Sequence, residues 1–293
     1  MNRFLKTHPV SMLVYFISVI GISMVCKSPI IQLISLFGAA SYAVWLTKGR
    51  EFLSQLAFFV TLFLLISVTN PLFVHNGKTP LFFMNGNPVT LEAVICGMSI
   101  AVVIISVILW FSCMTRVMTS DKFYFIFSRI SPKLALVFSM ALNFIPKLKK
   151  SYKDTEKAHK TLGIYSTDSR VDRLKLKLKT MSSVVSQSAE NSIETSASMN
   201  ARGYGDKKRT SCFVKKFTAF DFFVMIVSIA VFTAEIIFML DKTLAFEFYP
   251  TFSKITIEIN GVIAYSGCFV LCFLPVIIEI TESLKWKYFV SKI

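Results

Sequence analysis

The sequence predicts an all-α polytopic membrane protein, with about six transmembrane helices and an inserted cytoplasmic region of amphipathic helices. Three observations support this fold class. Apolar residues make up 54% of the 293 residues and charged residues only 17%, whereas soluble domains carry about 25% charged residues. Mean hydropathy is +0.61. Most of the net charge of +15 lies in one segment. This composition excludes a disordered chain and an ordinary soluble enzyme.

Six segments have the roughly 20 predominantly apolar residues that a membrane helix needs. They are residues 10–26, 29–47, 52–72, 90–115, 219–240 and 258–281. Residues 27–29 join the first two segments, which we expect to form a tight hairpin. We expect the third helix to end at Asn70 and Pro71 and Thr90 to cap the fourth. The loop between them, from His75 to Pro88, is rich in turn signals.

The basic residues predict the orientation, because cytoplasmic loops carry the excess of Lys and Arg. With a cytoplasmic N-terminus, 28 of the 32 basic residues lie at the inner side. The four basic residues left on the outer side are Lys27, Lys78, Lys242 and Lys254. Both termini are therefore predicted to be cytoplasmic, and Lys285, Lys287 and Lys292 are expected to anchor the last helix. The predicted organisation is four spans in 1–116, coupling helices in 117–216 and two spans in 217–293.

Residues 117–146 must begin and end on the same side of the membrane. Their apolar stretch, 134–145, is short for a span and lies between Pro132 and Pro146. Apolar and aromatic side chains stand beside basic ones, which is typical of amphipathic helices lying in the membrane interface. A hairpin of two spans is the alternative interpretation.

The segment from Lys147 to Lys216 carries +10 of the net charge and has no apolar run long enough to span a bilayer. It predicts two cytoplasmic helices, one from about Lys147 to near Gly163 and one from after Ser166 or Asp168 to 201–203. The second has apolar residues at helical spacing, namely Val171, Leu174, Leu178, Met181 and Val185. Its basic residues are expected to border an anionic lipid bilayer. Nucleic acid is not an expected partner, since no nucleic-acid-binding module accompanies the charge.

Signals for catalysis, metal binding or nucleotide binding are absent from the sequence. Residues 77–79 read Gly-Lys-Thr, but the glycine that a phosphate loop needs five residues earlier is Leu72. The histidines are far apart and the cysteines form no C-x-x-C pair, so we expect no catalytic residue, bound metal or cofactor. Glu235 is the most nearly intramembrane acid. Helix pairing or snorkelling is one interpretation of it, and proton coupling is the other.

A motif at the end of the second cytoplasmic helix indicates a family. Residues 198–205 read Ser-Met-Asn-Ala-Arg-Gly-Tyr-Gly and are followed by Lys-Arg-Thr at 208–210. Together with Asn-Pro-Leu-Phe at 70–73 and Asn-Phe-Ile-Pro at 143–146, the motif resembles the transmembrane T component of energy-coupling factor (ECF) transporters. That family includes the cobalt permease CbiQ. The resemblance covers almost the whole chain.

The resemblance implies a non-catalytic subunit of an ATP-driven importer in a prokaryotic plasma membrane. A T component joins two cytoplasmic ABC-type ATPases, which bind the ATP, to a substrate-binding membrane protein, the S component, for uptake of a vitamin or metal ion. Its long cytoplasmic helices end in Ala-Arg-Gly motifs that contact the ATPases, and Ala201, Arg202 and Gly203 match this motif. An arginine at a helix C-terminus can form a bidentate pair with a carboxylate. Gly203 is expected to close the helix in a left-handed cap.

The first cytoplasmic helix departs from the family pattern. Where the family often has Ala-Gln-x-Ala-Arg-Gly, residues 158–163 read Ala-His-Lys-Thr-Leu-Gly. Leu162 therefore replaces the arginine before Gly163. Either His159 or Lys160 supplies the missing charge, or this contact is apolar and weaker. We expect the two ATPase contacts to be unequal.

The resemblance also implies that 117–146 contributes to the S-component site. The residues expected there are Phe123, Phe127, Leu134, Leu136, Val137 and Phe138; burial against lipid or against the chain's own helices is the alternative. Two other functions would each require a feature in the sequence. A membrane enzyme acting on a lipid or prenyl substrate would need acids or histidines clustered at one membrane face. A self-sufficient secondary transporter would need inverted repeats and broken helices. The sequence shows neither feature.

Overall fold

The computed structural model describes residues 4, 7–47, 50–74, 77–84, 87–163, 170–204, 216–241, 244, 246, 248–249 and 259–290. Several predictions concern residues outside this description: His75, Ser166, Asp168, residues 205–210, Lys242, Lys254 and Lys292. The described chain forms the helices Pro9–Val25 (α1), Pro29–Thr47 (α2), Arg50–Phe73 (α3), Leu91–Val117 (α4), Ser120–Ile130 (α5), Pro132–Thr161 (α6), Arg170–Ala201 (α7), Ala219–Leu240 (α8) and Ile259–Val290 (α9). It also forms two strands, Pro80–Met84 (β1) and Asn87–Thr90 (β2).

The chain divides into two compact units. We call Met1–Ser120 together with Lys215–Ile293 the membrane unit, and Asp121–Val214 the helical insert. In the described residues five helices, all in the membrane unit, are long and apolar enough to cross a membrane: α2, residues 55–73 of α3, α4, α8 and α9. The sixth predicted span is α1, an apolar helix of 17 residues, the lower end of the usual range. The prediction of an all-α polytopic membrane protein is confirmed.

Helix α2 occupies the middle of the membrane unit, because it packs on both α4 and α9, while α1 packs on α8 and α4. Tyr15 and Trp110 are fully buried at this junction. The indole N–H of Trp110 donates to the hydroxyl oxygen of Ser35 (3.0 Å), and Ser35 lies 2.6 Å from the hydroxyl of Ser23. The Tyr15 hydroxyl donates to the Leu271 carbonyl (3.0 Å). These bonds join α1, α2, α4 and α9, and they satisfy polar groups that have no access to water.

Asp221 holds two helix starts together. Its carboxylate accepts from the backbone N–H of Thr218 (2.9 Å), which completes a capping box at the start of α8. The same carboxylate accepts from the backbone N–H of His8 (2.7 Å), the residue that caps α1. A carboxylate at two helix N-termini is favoured by both helix dipoles. Asp221, which is 2% exposed, therefore has a structural role in joining α1 to α8.

The connection between α3 and α4 differs from the prediction at two points. Helix α3 does not end at Asn70 and Pro71 but continues to Phe73. Pro71 lies inside the last turn of α3, and the Asn70 side chain donates to the Ala93 carbonyl of α4 (2.8 Å). The turn-rich loop contains the antiparallel hairpin of β1 and β2. Thr90 caps α4 as predicted, accepting from the Ala93 N–H (3.4 Å).

The helical insert corrects the predicted boundary at Pro146. The first cytoplasmic helix does not begin near Lys147, because α6 runs unbroken from Pro132 to Thr161. Pro146 removes one backbone hydrogen bond, but long helical stretches on both sides outweigh that local cost. Ser131 caps the start of α6 by accepting from the Leu134 N–H (3.5 Å). Helix α5 has 11 residues, so it is roughly 17 Å long and too short to cross the hydrocarbon core.

Candidate functional site

Helices α6 and α7 of the helical insert pack against each other in antiparallel orientation. Ser151 of α6 donates to the Gln187 amide oxygen of α7 (3.2 Å), and His159 of α6 lies 2.9 Å from the Thr180 hydroxyl of α7. The later position in α6 therefore pairs with the earlier position in α7, as antiparallel packing requires. Val184, between the two bonded positions on α7, is 4% exposed. The described contact between these long helices therefore combines two polar pairs with a buried apolar side chain.

The hydrogen bonds of Thr180 indicate how His159 is used. The Thr180 hydroxyl donates to the Leu176 carbonyl (2.9 Å), one turn earlier in α7. With its proton committed there, Thr180 accepts from His159 through the ring Nδ1 (2.9 Å). His159 therefore fixes the register of α6 on α7, a contact that sequence reasoning missed because the spacing within one helix does not reveal its pairing with another.

The end of α7 is a complete left-handed cap. Gly203 has φ +71°, and its N–H donates to the Asn200 carbonyl (2.9 Å), while the Tyr204 N–H donates to the Met199 carbonyl (3.1 Å). These two bonds define the Schellman motif. Ala201 is the last residue of the helix and Arg202 occupies the C-cap, with both side chains exposed. The predicted left-handed cap at Gly203 is confirmed, and it displays the Arg202 guanidinium at the negative end of the helix dipole.

Within the described residues, the end of α6 matches that of α7 in the positive φ of its glycine and in the hydrogen bond that this glycine donates. Leu162 is the C-cap residue, and Gly163 has φ +72° with its N–H donating to the Lys160 carbonyl (3.1 Å). Leu162 is 72% exposed. Leu162 and Arg202 therefore occupy equivalent positions, each followed by a left-handed glycine. The two helix ends share a backbone shape and differ in the side chain that they present.

The alternatives for a charge at the α6 end can now be compared. His159 is half-buried and contacts Thr180, so its Nδ1 faces α7. The Lys160 ammonium pairs with the Glu156 carboxylate one turn earlier (2.9 Å). This hydrogen bond lowers the pKa of Glu156 below its ordinary value, although burial acts in the opposite direction. Leu162 remains the most exposed of the three side chains, and this favours an apolar contact.

The two caps lie far apart because the helices are antiparallel. Leu162 follows His159, which contacts Thr180, whereas Arg202 lies at the other end of α7. At 1.5 Å per residue, the distance along the axis of α7 from Thr180 to Arg202 is roughly 33 Å. One helix pair therefore presents two similar caps at opposite ends.

Helix α7 has an apolar face that the described part of the chain leaves exposed. Five side chains at helical spacing are between 56% and 61% exposed, namely Val171, Leu174, Leu178, Met181 and Val185. We call them the α7 apolar stripe. At 100° per residue the stripe is centred roughly 130° around the helix from the face that contacts α6. Isolated exposed apolar residues are common, but a contiguous row is typical of an interaction surface. The apolar period predicted the helix but not the exposure of this face.

The residues expected to contact an S component lie on α5 and the first half of α6. The exposed ones are Phe127 (47%), Leu134 (65%), Val137 (59%) and Phe138 (44%). Phe123 and Leu136 are half-buried. The rings of Phe127 and Phe138 are 6.1 Å apart, so the structure brings the apolar sides of α5 and α6 together. Whether a partner covers them stays a prediction.

Glu235 lies in the membrane unit. It is 1% exposed, and its Oε2 is 3.9 Å from the thiol sulfur of Cys26, which follows α1. The contact links α8 to the end of α1, which is the geometry of helix pairing. It does not test proton coupling.

These features together define a multi-pass membrane protein with a helical insert of long, exposed, capped helices. The model of the CbiQ family, described as cobalt transport protein, matches residues 2–212. The chain belongs to this family and is a membrane component of a transport system. The family resemblance predicted from the sequence is thereby confirmed. No curated protein matches the chain.

Proposed function

We propose that the protein is the coupling subunit of an ECF-type importer, which transmits movement from two cytoplasmic ABC-type ATPases to a substrate-binding membrane S component. The observation that carries the proposal is the pair of matched caps, at Leu162 and Arg202, at opposite ends of the α6–α7 pair. Each cap presents one exposed side chain in a position set by a left-handed glycine. Membership of a cobalt transport family supports the transport role.

The chemistry of the ends suggests how each one binds. Arg202 offers a planar guanidinium that suits a carboxylate on one ATPase. Leu162 suits an apolar recess on the other ATPase. The α7 apolar stripe and the exposed residues of α5 and α6 would contact the S component. In this arrangement the chain binds neither ATP nor the carried micronutrient, and it performs no catalysis.

The contact between α6 and α7, with two hydrogen-bonded pairs and one small buried apolar side chain, suits a moving part. A single neutral hydrogen bond contributes a net 0.5–1.5 kcal/mol, about 1 kcal/mol on average, so changing the angle between the helices sacrifices little. A seam of large apolar side chains would resist such a change because interior packing is dense. Closure of the ATPases would then move the two caps apart or towards each other. The same movement would tilt the surface that holds the S component.

The test is charge reversal at the α7 cap. We expect Arg202→Glu to leave the protein inserted in the membrane and to abolish co-purification of ATPase chains, identified by mass spectrometry after affinity purification from native membranes. Lys175→Glu is the matched control, since Lys175 is an exposed cation on the same helix but distant from the cap. It should retain the ATPases. Complex formation and uptake that survive Arg202→Glu unchanged would exclude this function for the α7 end.

A further inference from the structure

A cavity of about 480 Å³ lies in the membrane unit, at the end where α1 finishes, α2 begins and α4 begins. Its volume falls within the 300–1,000 Å³ typical of small-molecule sites. The described residues that line it come from α1 and the following turn, α2, α4 and the segment before α9. They include Cys26, Lys27, Gln32, Ser99 and Tyr249. None of the features considered under the proposed function involves this cavity.

Hydrogen bonds between three chain segments hold the polar part of the cavity in place. Gln32, 5% exposed, accepts a hydrogen bond from the Ser99 hydroxyl of α4 and donates to the Cys26 carbonyl (3.4 Å). The Gln32 amide therefore holds the turn between α1 and α2 against α4, and places Lys27 at the rim. Lys27 is the one charged side chain among the described lining residues. Glu235 lies behind Cys26, which it contacts at 3.9 Å, and does not line the cavity. The accessible charge is positive and suits an anion.

The lining changes from polar to apolar along α4. Cys96 and Ser99 lie nearer the start of the helix, and Ile100, Val103 and Ile104 lie deeper. The distance from position 96 to 104 is roughly 12 Å along the axis. Ile100 and Ile104 are 41% and 37% exposed, so the apolar part opens sideways on the outer surface of a spanning helix, where hydrocarbon lies.

Aromatic side chains form another part of the cavity lining. Phe246 and Phe248 pack edge to face with ring centroids 4.8 Å apart, and both line the cavity with Tyr249. Aromatic residues gather at the level of lipid headgroups in membrane proteins. The cavity therefore combines a cation, aromatic residues and a lateral apolar path, which are the three features that suit the phosphate, the interfacial glycerol and the acyl chain of a phospholipid.

We propose that this cavity binds one phospholipid, with its anionic phosphate at Lys27 and the first part of an acyl chain along Ile100 and Ile104. A free phosphate would leave the apolar half empty. A neutral diacylglycerol would leave the Lys27 charge unused. The site is independent of the ATPase and S-component contacts, so its test and the Arg202 test can fail separately.

The test is a titration of delipidated, detergent-purified protein, monitored by native mass spectrometry. The probes are dioleoylphosphatidylglycerol, dioleoylglycerol and glycerol 1-phosphate. We expect the phospholipid to bind at one per chain, and both fragments to bind at least ten-fold more weakly. Lys27→Gln should weaken phospholipid binding about ten-fold, as expected for loss of a hydrogen bond to a charged group. Val103→Trp should fill the cavity and weaken binding at least as much.

Matched controls separate the site from the general surface. Lys78→Gln removes a lysine predicted to face the same side of the membrane but outside the cavity. Met98→Trp places the same bulk on an exposed position of α4 (43% exposed) that does not line the cavity. Both controls should bind the phospholipid as the natural chain does. If glycerol 1-phosphate or dioleoylglycerol bound as tightly as the phospholipid, the proposed occupant would be wrong. Unchanged phospholipid binding in both Lys27→Gln and Val103→Trp would overturn the site.

Discussion

Replacing Gly163 with alanine tests whether the left-handed cap holds the end of α6 in place. Gly163 has φ +72°, and a Cβ built at this position meets none of the described residues within 4 Å. A side chain there encounters no steric obstacle from neighbouring residues, so its effect comes from the backbone conformation alone. A left-handed conformation costs an L-residue about 1–2 kcal/mol. The last turn of α6, including the bond from Gly163 to the Lys160 carbonyl, should therefore open about 5–30 times more often.

Amide hydrogen exchange, measured by mass spectrometry on a peptide covering 155–163, reports this opening directly. Gly163→Asn is the first control, because asparagine tolerates the left-handed region, and it should exchange more slowly than Gly163→Ala. Gly267→Ala is the second control. Gly267 lies inside α9, where an added Cβ would meet Val231 at an ordinary 3.6 Å, and this change should leave the α6 peptide unaffected.

Two results would refute the reasoning. If Gly163→Ala exchanged at the rate of the natural chain, the cap would not depend on glycine. If Gly163→Asn accelerated exchange as much as Gly163→Ala, the cause would not be the positive φ. Under the proposed function, Gly163→Ala should also reduce retention of the ATPases, because Leu162 would no longer be held at the C-cap.

Two further predictions concern the helical insert. Leu178→Glu places a charge in the α7 apolar stripe and should reduce co-purification of a small membrane partner with little change in the ATPases. Asn191→Glu, on the side of α7 towards α6, is the control and should retain both kinds of partner. Equal retention of the membrane partner in the two variants would mean that the stripe is not a docking surface. Thr180→Val removes the acceptor for His159 and should destabilise the α6–α7 contact by about 1 kcal/mol, measured as faster amide exchange in both helices. Thr180→Ser keeps the hydroxyl and should restore slow exchange, and a Val variant as protected as the Ser variant would show that the bond contributes nothing.

The positions of the apolar helices could be predicted because hydropathy depends on local sequence alone. Helix α8 was predicted at 219–240 and spans those residues. Helix α9 was predicted to 281 but continues to Val290, because hydropathy marks the end of the membrane and not the end of the hydrogen-bonded helix. The break at Pro146 was wrong for a related reason. The rule that proline breaks a helix considers only the backbone hydrogen bond that proline removes. It does not consider the tertiary contacts that hold α6 in place, such as the hydrogen bond of Ser151 to Gln187 of α7.

The site was predictable only in part. The cap at Gly203 follows from a helix period that ends in Arg-Gly, since glycine adopts a positive φ without strain. The contact between His159 and Thr180 depends on the register of two helices, and no spacing within either helix reveals it. The period of the α7 apolar stripe predicts that a face exists but not whether another part of the chain covers it. Sequence reasoning therefore predicted the ends of α6 and α7 and missed how the two helices are held together.

The difference between the two caps has a mechanical consequence within the proposed function. Both caps share one backbone shape, so the side chains of Leu162 and Arg202 determine how firmly each end is held. An arginine paired with a carboxylate gains from directional, charge-assisted bonds, whereas a leucine in a recess gains from apolar area without a fixed direction. The α7 end would then act as the fixed attachment, and the α6 end could slide or turn while it stays buried. Movement of one ATPase relative to the other would accordingly rotate α6 about its contact with Thr180. The exposed residues on the first half of α6, such as Val137 and Phe138, belong to the same continuous helix and would move with it.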